Sequence, residues 1–294
     1  RDMYDLSADE FYGMLRAGEM AVTSQPSPQA AIDMLEPILK EGKDILHLSF
    51  SSGLSGTYNS MCIAAEELQE KYPERKIVVI DTLCASLGEG LIDYKALELQ
   101  KEGKSLEEVA AWVEENKLHI MHNVTIDDLF HLHRGGRVSK ASAIVGTMIQ
   151  IKPIIHMDDH GELKVIGKER GRKKAMNKIV DMAIDACEGK MPDMVMIPHG
   201  NCPKDAEYVA ELVRKKMGVT NIMMNDIKER NVSIPAVRVR YIYYHRADTQ
   251  SQVHVSIPAA RVRYIHHQRR QKGDSQGFNS RSAGKIHLRN TKTR

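Results

Sequence analysis

At 294 residues the chain has room for one or two domains and a sizeable core. Its apolar (42%) and charged (28%) fractions are ordinary for a globular protein, and no apolar run approaches the ~20 residues of a helical membrane span. The net charge of +3 hides a split: residues 1–230 carry 29 Lys+Arg against 37 Asp+Glu (−8), whereas residues 231–294 carry 13 against only Asp248 and Asp274 (+11). An acidic body and a basic tail therefore call for separate accounts. Cys62, Cys84, Cys187 and Cys202 form no Cys-x-x-Cys pair, which indicates neither a zinc site nor a disulfide framework and fits a reducing cytoplasm. The chain opens on Arg1-Asp-Met-Tyr, without the apolar core of a signal peptide.

Ser7-Ala-Asp-Glu10 is a capping box ahead of a short helix beginning near Phe11. Thr23-Ser24-Gln25-Pro26 reads as an extended segment, because proline disfavours helix at the residue before it. Ser27 then caps a helix with Pro28 at its first position, an apolar face through Leu39, and a stop at Gly42. Pro37 is expected to kink it. Ile45 to Leu48 is a buried strand, Ser51, Ser52, Gly53, Ser55 and Gly56 form a hydroxyl-rich loop, and Met61 to Gln69 is an amphipathic helix. Strand, loop and helix in that order gather unpaired N–H groups and a positive helix end around one small space, which suits an anion. The spacing leaves a second reading open, in which Ser55 only caps the helix and the glycines serve a turn. No Gly-Lys-Ser/Thr follows this loop and it does not read Gly-x-Gly-x-x-Gly, so it is not a nucleotide-phosphate loop of either kind.

Ile77 to Ile80 is a second buried strand, and its repeat of strand, loop and helix implies a parallel α/β sheet. The loops at 51–56 and 82–90 then share the carboxyl edge of that sheet, where ligands bind. Ser105-Leu-Glu-Glu108 caps a further helix. From Leu118 the pattern changes: a strand over His119–Thr125, a short helix from Asp127 to Leu132, a basic glycine turn at Arg134-Gly-Gly-Arg137, and a hairpin around Asp158-Asp-His-Gly161. A second, mixed-sheet domain is expected from about residue 117. His119, His122, His131, His133, His156 and His160 lack metal-ligand spacing, and hydrogen-bonding or surface roles are assigned to them. Arg170-Gly-Arg-Lys-Lys174 crowds cations at a helix start, against the helix dipole, so a solvated face or an acidic partner must account for them. Met194–Ile197 and Ile222–Met224 read as strands around a Pro203–Met217 helix. Val232–Arg246 recurs as Val255–Arg269, and the residues after Arg270 offer little to bury.

Ser51-Ser-Gly-Leu-Ser-Gly-Thr-Tyr58 resembles the Ser-Ser-x-Leu-Ser-Gly-Thr signature of the DegV family of bacterial fatty-acid-binding proteins. Thr23-Ser-Gln-Pro-Ser-Pro28, Val79-Ile-Asp-Thr-Leu-Cys-Ala-Ser-Leu-Gly-Glu-Gly90, and Leu132–Thr147 with Lys152-Pro-Ile match it in order. The resemblance implies a two-domain α/β fold: a parallel, Rossmann-like sheet domain over 1–116 lacking its first strand, and a mixed α/β domain over 117–226. Residues 227–294 depart from the family pattern, which continues with a glycine-rich loop, and are expected to be a disordered, foreign ending. By the same resemblance the chain is expected to be a truncated fragment. The resemblance further implies that a long-chain fatty acid lies between the domains, its carboxylate held by Thr23, Ser24, Ser55 and Gly56. No other cofactor and no metal is expected. Arg170, Arg172 and Lys173 would face a fatty-acid kinase that converts the presented acid to an acyl phosphate, so the chain itself is not expected to be an enzyme. Transient membrane contact is compatible with that role.

Two rival classes are weighed against it. A hydrolase would use Ser55 as nucleophile, but Gly-x-Ser-x-Gly is absent. A nucleic-acid-binding protein would act through the Arg- and Tyr-bearing tail, which two repeats and an abrupt change of composition make the weaker reading.

Overall fold

The computed structural model describes residues 6–127, 129–139, 150–226, 240–245 and 263–264. In order these give α1 (Ala8–Arg16), β1 (Ala21–Val22), α2 (Pro28–Lys40), β2 (Lys43–Ser49), α3 (Thr57–Lys71), β3 (Ile77–Asp81), α4 (Leu87–Lys101) and α5 (Leu106–Asn116). A 3₁₀ turn at Lys117–His119 precedes β4 (Asn123–Val124), α6 (Phe130–Arg134), β5 (Ile151–Met157), β6 (Leu163–Arg170) and α7 (Arg172–Ala186). Then come β7 (Val195–His199), α8 (Pro203–Met217), β8 (Ile222–Asp226), β9 (Arg240–His245) and β10 (Arg263–Tyr264).

The first half is a three-layer α/β/α unit built on β2. Because successive strand residues face opposite ways, Ile45 packs with Leu35, Leu39, Met61 and Leu68 of α2 and α3. Leu46 and Leu48 pack with Ile92 and Ala96 of α4 and with Leu106, Val109 and Val113 of α5. β2 runs parallel to β3, with Ile45 beside Ile77 and Leu48 beside Ile80. This parallel pairing carries both following loops off the same edge of the sheet. The capping boxes form at Ser7/Glu10 and Ser105/Glu108, and Ser27 Oγ accepts from the Ala30 N–H. α2 runs through Pro37 without ending there, since Leu35 and Leu39 on either side are buried in the same core.

The second half holds an antiparallel sheet in the order β4-β5-β6 and a parallel pair, β7 and β8. α7 and α8 pack together through Val180, Val213 and Met217. The β5–β6 turn is closed by Asp158, whose side chain accepts from the His160 and Glu162 N–H groups at 3.1 and 2.9 Å. The chain is thus a mixed α/β protein with a parallel-sheet unit followed by a mixed one. Among the described residues no helix is long and apolar enough to cross a membrane, and no cluster of His, Cys, Asp and Glu is arranged to hold a metal.

Two short parts of the basic ending are described, both as strands. β9 lies antiparallel to β2, Ile45 facing Tyr243, and β10 lies antiparallel to β1. For Arg240–His245 this differs from an ending that packs nowhere. The reason is local: Arg-Tyr-Ile-Tyr-Tyr-His is rich in aromatic and β-branched residues that favour strands, and β2 has an edge to pair with. The rest of 227–294, and residues 140–149, which include the second half of the longest family block, lie outside the described residues.

Candidate functional site

The Ser51–Gly56 loop leaves the end of β2 and is held from several directions. Asp81, at the end of β3, accepts from the Ser52 N–H at 3.2 Å and from the Leu83 N–H at 3.1 Å through one carboxylate oxygen. The Ser51 N–H donates to the Cys84 carbonyl at 3.0 Å, so the two loops on this edge are stitched together. From the second half of the chain, the Gly161 carbonyl accepts from the buried Ser51 hydroxyl at 2.7 Å. Gly53 lies so close to the hairpin that a Cβ there would stand 2.7 Å from the carbonyl oxygens of His160 and Gly161. Arg137 Nε donates to the Leu54 carbonyl at 3.0 Å. Beneath the loop Phe50, Leu54 and Met157 form an apolar cluster with Ala85 and Leu163.

Ser55 does not cap α3. The helix starts at Thr57 and its N-cap is Gly56, which has no side chain to cap it. Instead Ser55 Oγ and Thr57 Oγ1 share a 2.8 Å hydrogen bond. Whichever hydroxyl donates within the pair, the other keeps its proton for an acceptor outside it. Among the described residues the partner of the Ser55 hydroxyl is another hydroxyl, which is not a general base. Burial, together with the carboxylates of Glu89 and Asp93, pushes the Cys84 thiol well above the ordinary thiol range.

The Thr23 segment reaches this loop through Gln25. Its amide Nε2 donates to Ser60 Oγ at 3.3 Å, and its Oε1 lies 2.1 Å from where a Cβ on Gly56 would be. Only glycine at 56 lets the two segments meet this way. Thr23 is half-buried and Ser24 exposed on the same connection between β1 and α2. Opposite them, His122 braces the other loop. Its Nε2 accepts from the Ala85 N–H at 3.2 Å, which leaves the proton on Nδ1 to donate to the Ile120 carbonyl at 3.0 Å. Burial of the ring, with His156 nearby, pushes the imidazole down to about 4.

The family model of the DegV family, described as an uncharacterised protein, matches residues 1–230. The chain belongs to the DegV family. A DegV domain-containing protein of Clostridium perfringens is 42% identical over 223 residues, 76% of this chain and 77% of that one. Among solved DegV structures, one from Ruminococcus gnavus refined with vaccenic acid superposes with a TM-score of 0.67 at 28% identity, covering 77% of this chain and 80% of its own. A DegV protein of Streptococcus agalactiae, described as fatty-acid-binding, gives 0.64 at 26% identity, with 76% and 78% covered.

Within this DegV chain the residues expected at the carboxylate fall on two touching segments, 23–25 and 55–57. The cationic group lies elsewhere, at the end of β6 and the start of α7. Arg172 pairs with Asp127 at 2.7 Å and also with Asp205, so much of its charge is answered within the fold. That pairing offsets one of the cations that the sequence crowds at this helix start. Arg170 and Lys173 are exposed, Lys173 standing 5.7 Å over the Tyr208 ring. Sequence reasoning missed Gln25, Asp81 and Arg137 as site residues. All three stand inside family blocks, but what marks them is a contact with a distant glycine, loop N–H or loop carbonyl. His122 does fall in the hydrogen-bonding role assigned to the histidines.

Proposed function

We propose that the chain binds a long-chain fatty acid, its carboxylate at Thr23, Ser24, Ser55 and Gly56 and its tail against the apolar surface between the two halves. The observation that carries this reading is the Ser55–Thr57 hydroxyl pair at the uncapped start of α3, with the Thr23 segment docked on Gly56. A carboxylate there receives hydroxyl donors and the positive end of a helix, both stronger toward an ionised acceptor than a neutral one. Neutral donors make the burial of a carboxylate tolerable. The sixteen methionines of the sequence suit a pliable lining for an alkyl chain. The fatty acids named for the related solved proteins support the substrate class.

We further propose that the bound acid is presented to a fatty-acid kinase, with Arg170 and Lys173 on the surface that meets it, while Arg172 mainly supports that surface through its pairs with Asp127 and Asp205. The chain then acts as a lipid carrier and leaves phosphoryl transfer to its partner.

Protein purified from bacteria is extracted and the extract analysed by mass spectrometry. The expected result is a fatty acid at near-stoichiometric amount in the wild type and its loss in Thr23→Ala/Ser55→Ala. Equal occupancy in the double variant would reject the carboxylate site. Failure of the loaded protein to support ATP-dependent acyl phosphate formation with a fatty-acid kinase would reject the presentation role alone.

A further inference from the structure

We infer that Asn201 is a ligand-positioning residue: it latches α1 onto the β7–α8 loop of the second half, and through α1 it holds the Thr23 segment in place. The inference rests on the carboxylate reading above. In α1, Asp9, Tyr12 and Arg16 stand at i, i+3 and i+7, which puts them on one face of the helix. That face meets the loop after β7. Asn201 Nδ2 donates to Asp9 Oδ1 at 2.6 Å, and Asn201 Oδ1 accepts from the Arg16 guanidinium at 2.6 Å. Beside this pair, the Tyr12 hydroxyl lies 3.0 Å from where a Cβ on Gly200 would stand.

One amide thus answers an anion and a cation together, which takes a side chain with both a donor and an acceptor. Turned over, it would set oxygen against carboxylate and N–H against guanidinium, so its neighbours fix its orientation. Asn201 also takes φ +55°, a left-handed conformation that asparagine accepts more readily than most residues. From α1 to Thr23 the chain has little slack. The Gly18 and Glu19 N–H groups donate back to the Leu15 and Met14 carbonyls at 3.0 Å, and β1 follows at Ala21–Val22. β1 pairs with β10 over two residues, a ladder too short to fix the segment by itself. Downstream, Gln25 is docked on Gly56 and Ser60 of the first half. Thr23 and Ser24 are therefore strung between an anchor on each half. Loss of the Asn201 anchor lets Thr23 swing away from Ser55 and weakens the hold on the carboxylate.

The test uses the full chain stripped of lipid, with oleate as probe and calorimetric titration as readout. Wild type, Asn201→Ala, Asn201→Asp, Asp9→Asn/Asn201→Asp and Thr23→Ala/Ser55→Ala are compared. Asn201→Ala is expected to bind about three- to tenfold more weakly, as for loss of exposed hydrogen bonds to charged groups. Asn201→Asp sets like charges face to face and should also weaken binding. Adding Asp9→Asn exchanges donor and acceptor across the contact while Arg16 keeps its acceptor, so affinity should return. Amide hydrogen exchange supplies a readout that general destabilisation would not move selectively. In Asn201→Asp the α1 amides should exchange faster while those of β2 and α8 keep wild-type rates. If Asn201→Ala does not fold, Asn201→Asp and its Asp9→Asn partner carry both measurements. Wild-type affinity and α1 exchange in the single Asn201 variants, or weak binding unrelieved by Asp9→Asn, would overturn the inference. With binding lost in the hydroxyl double variant, either result leaves the carboxylate site standing. Full binding by that double variant would instead defeat the carboxylate site, and the inference with it.

Discussion

His122 makes the fold sensitive to acid in a calculable way. Its ring sits over Gly88, with Nε2 1.8 Å from where a Cβ would be, and that nitrogen accepts from the Ala85 N–H. Protonating it would set donor against donor. Burial of the ring, with His156 nearby, holds the imidazole at about 4, below its ordinary 6.5. The folded-state value being depressed, the unfolded chain binds the proton first. The stabilisation is thus fully present above about pH 6.5 and is lost as pH falls toward 4. At pH 5 an unfolded histidine is almost wholly protonated while the folded one is still neutral, so stability should drop by about 2 kcal/mol between pH 7.5 and 5 from this group. Other groups titrate over the same range, so the measurement is a difference. Urea unfolding of wild type and His122→Gln is compared at pH 7.5, 6 and 5. The stability advantage of the wild type should shrink by about 2 kcal/mol from the highest pH to the lowest. A gap that stays constant to within about 0.5 kcal/mol would refute the claim that the ring is kept neutral by its surroundings.

Gly53→Ala meets carbonyl oxygens of the hairpin backbone, which cannot step aside singly, and should cost about 1–3 kcal/mol in denaturant titration. Gly56→Ala meets only the end of the Gln25 side chain, so melting should change little while co-purified lipid falls, because the Thr23 segment loses its seat. Arg172→Met should destabilise by about 1 kcal/mol through its lost ion pairs, whereas Lys173→Glu should leave stability and lipid content alone and slow phosphorylation by the kinase. Loss of lipid from Lys173→Glu would move that residue from the partner surface to the binding site.

The parts of the fold legible in the sequence are those decided within a few residues. Ser7/Glu10 and Ser105/Glu108 close capping boxes because both partners lie in one turn of helix. Ile45–Leu48 and Ile77–Ile80 announce parallel strands of a core sheet, since both faces of each strand carry apolar residues. The two readings of Ser55 could not be separated in that way. Its choice between capping and pairing depends on how Gly56 and Thr57 enter the helix, which the surrounding loop contacts decide. Arg137 and Leu54 are 83 residues apart, and nothing local to the Arg134-Gly-Gly-Arg137 turn names its target. The cation group at 170–174 was visible as a cluster, but its sorting into internal pairs and exposed charge waits on where Asp127 and Asp205 fall.

The meeting of Gly53 with the hairpin is main chain against main chain, with no side chain between. A joint of that kind holds no information in residue type beyond the glycine. Sequence drift in the helices around it can alter how firmly each half is packed while the head-group end keeps its shape. Under the proposed function, variation that retunes the site for longer, shorter or bent acyl chains would be free to accumulate along the tail, at no cost to the grip on the carboxylate. A change that opens the joint would then abolish that grip for every chain length alike.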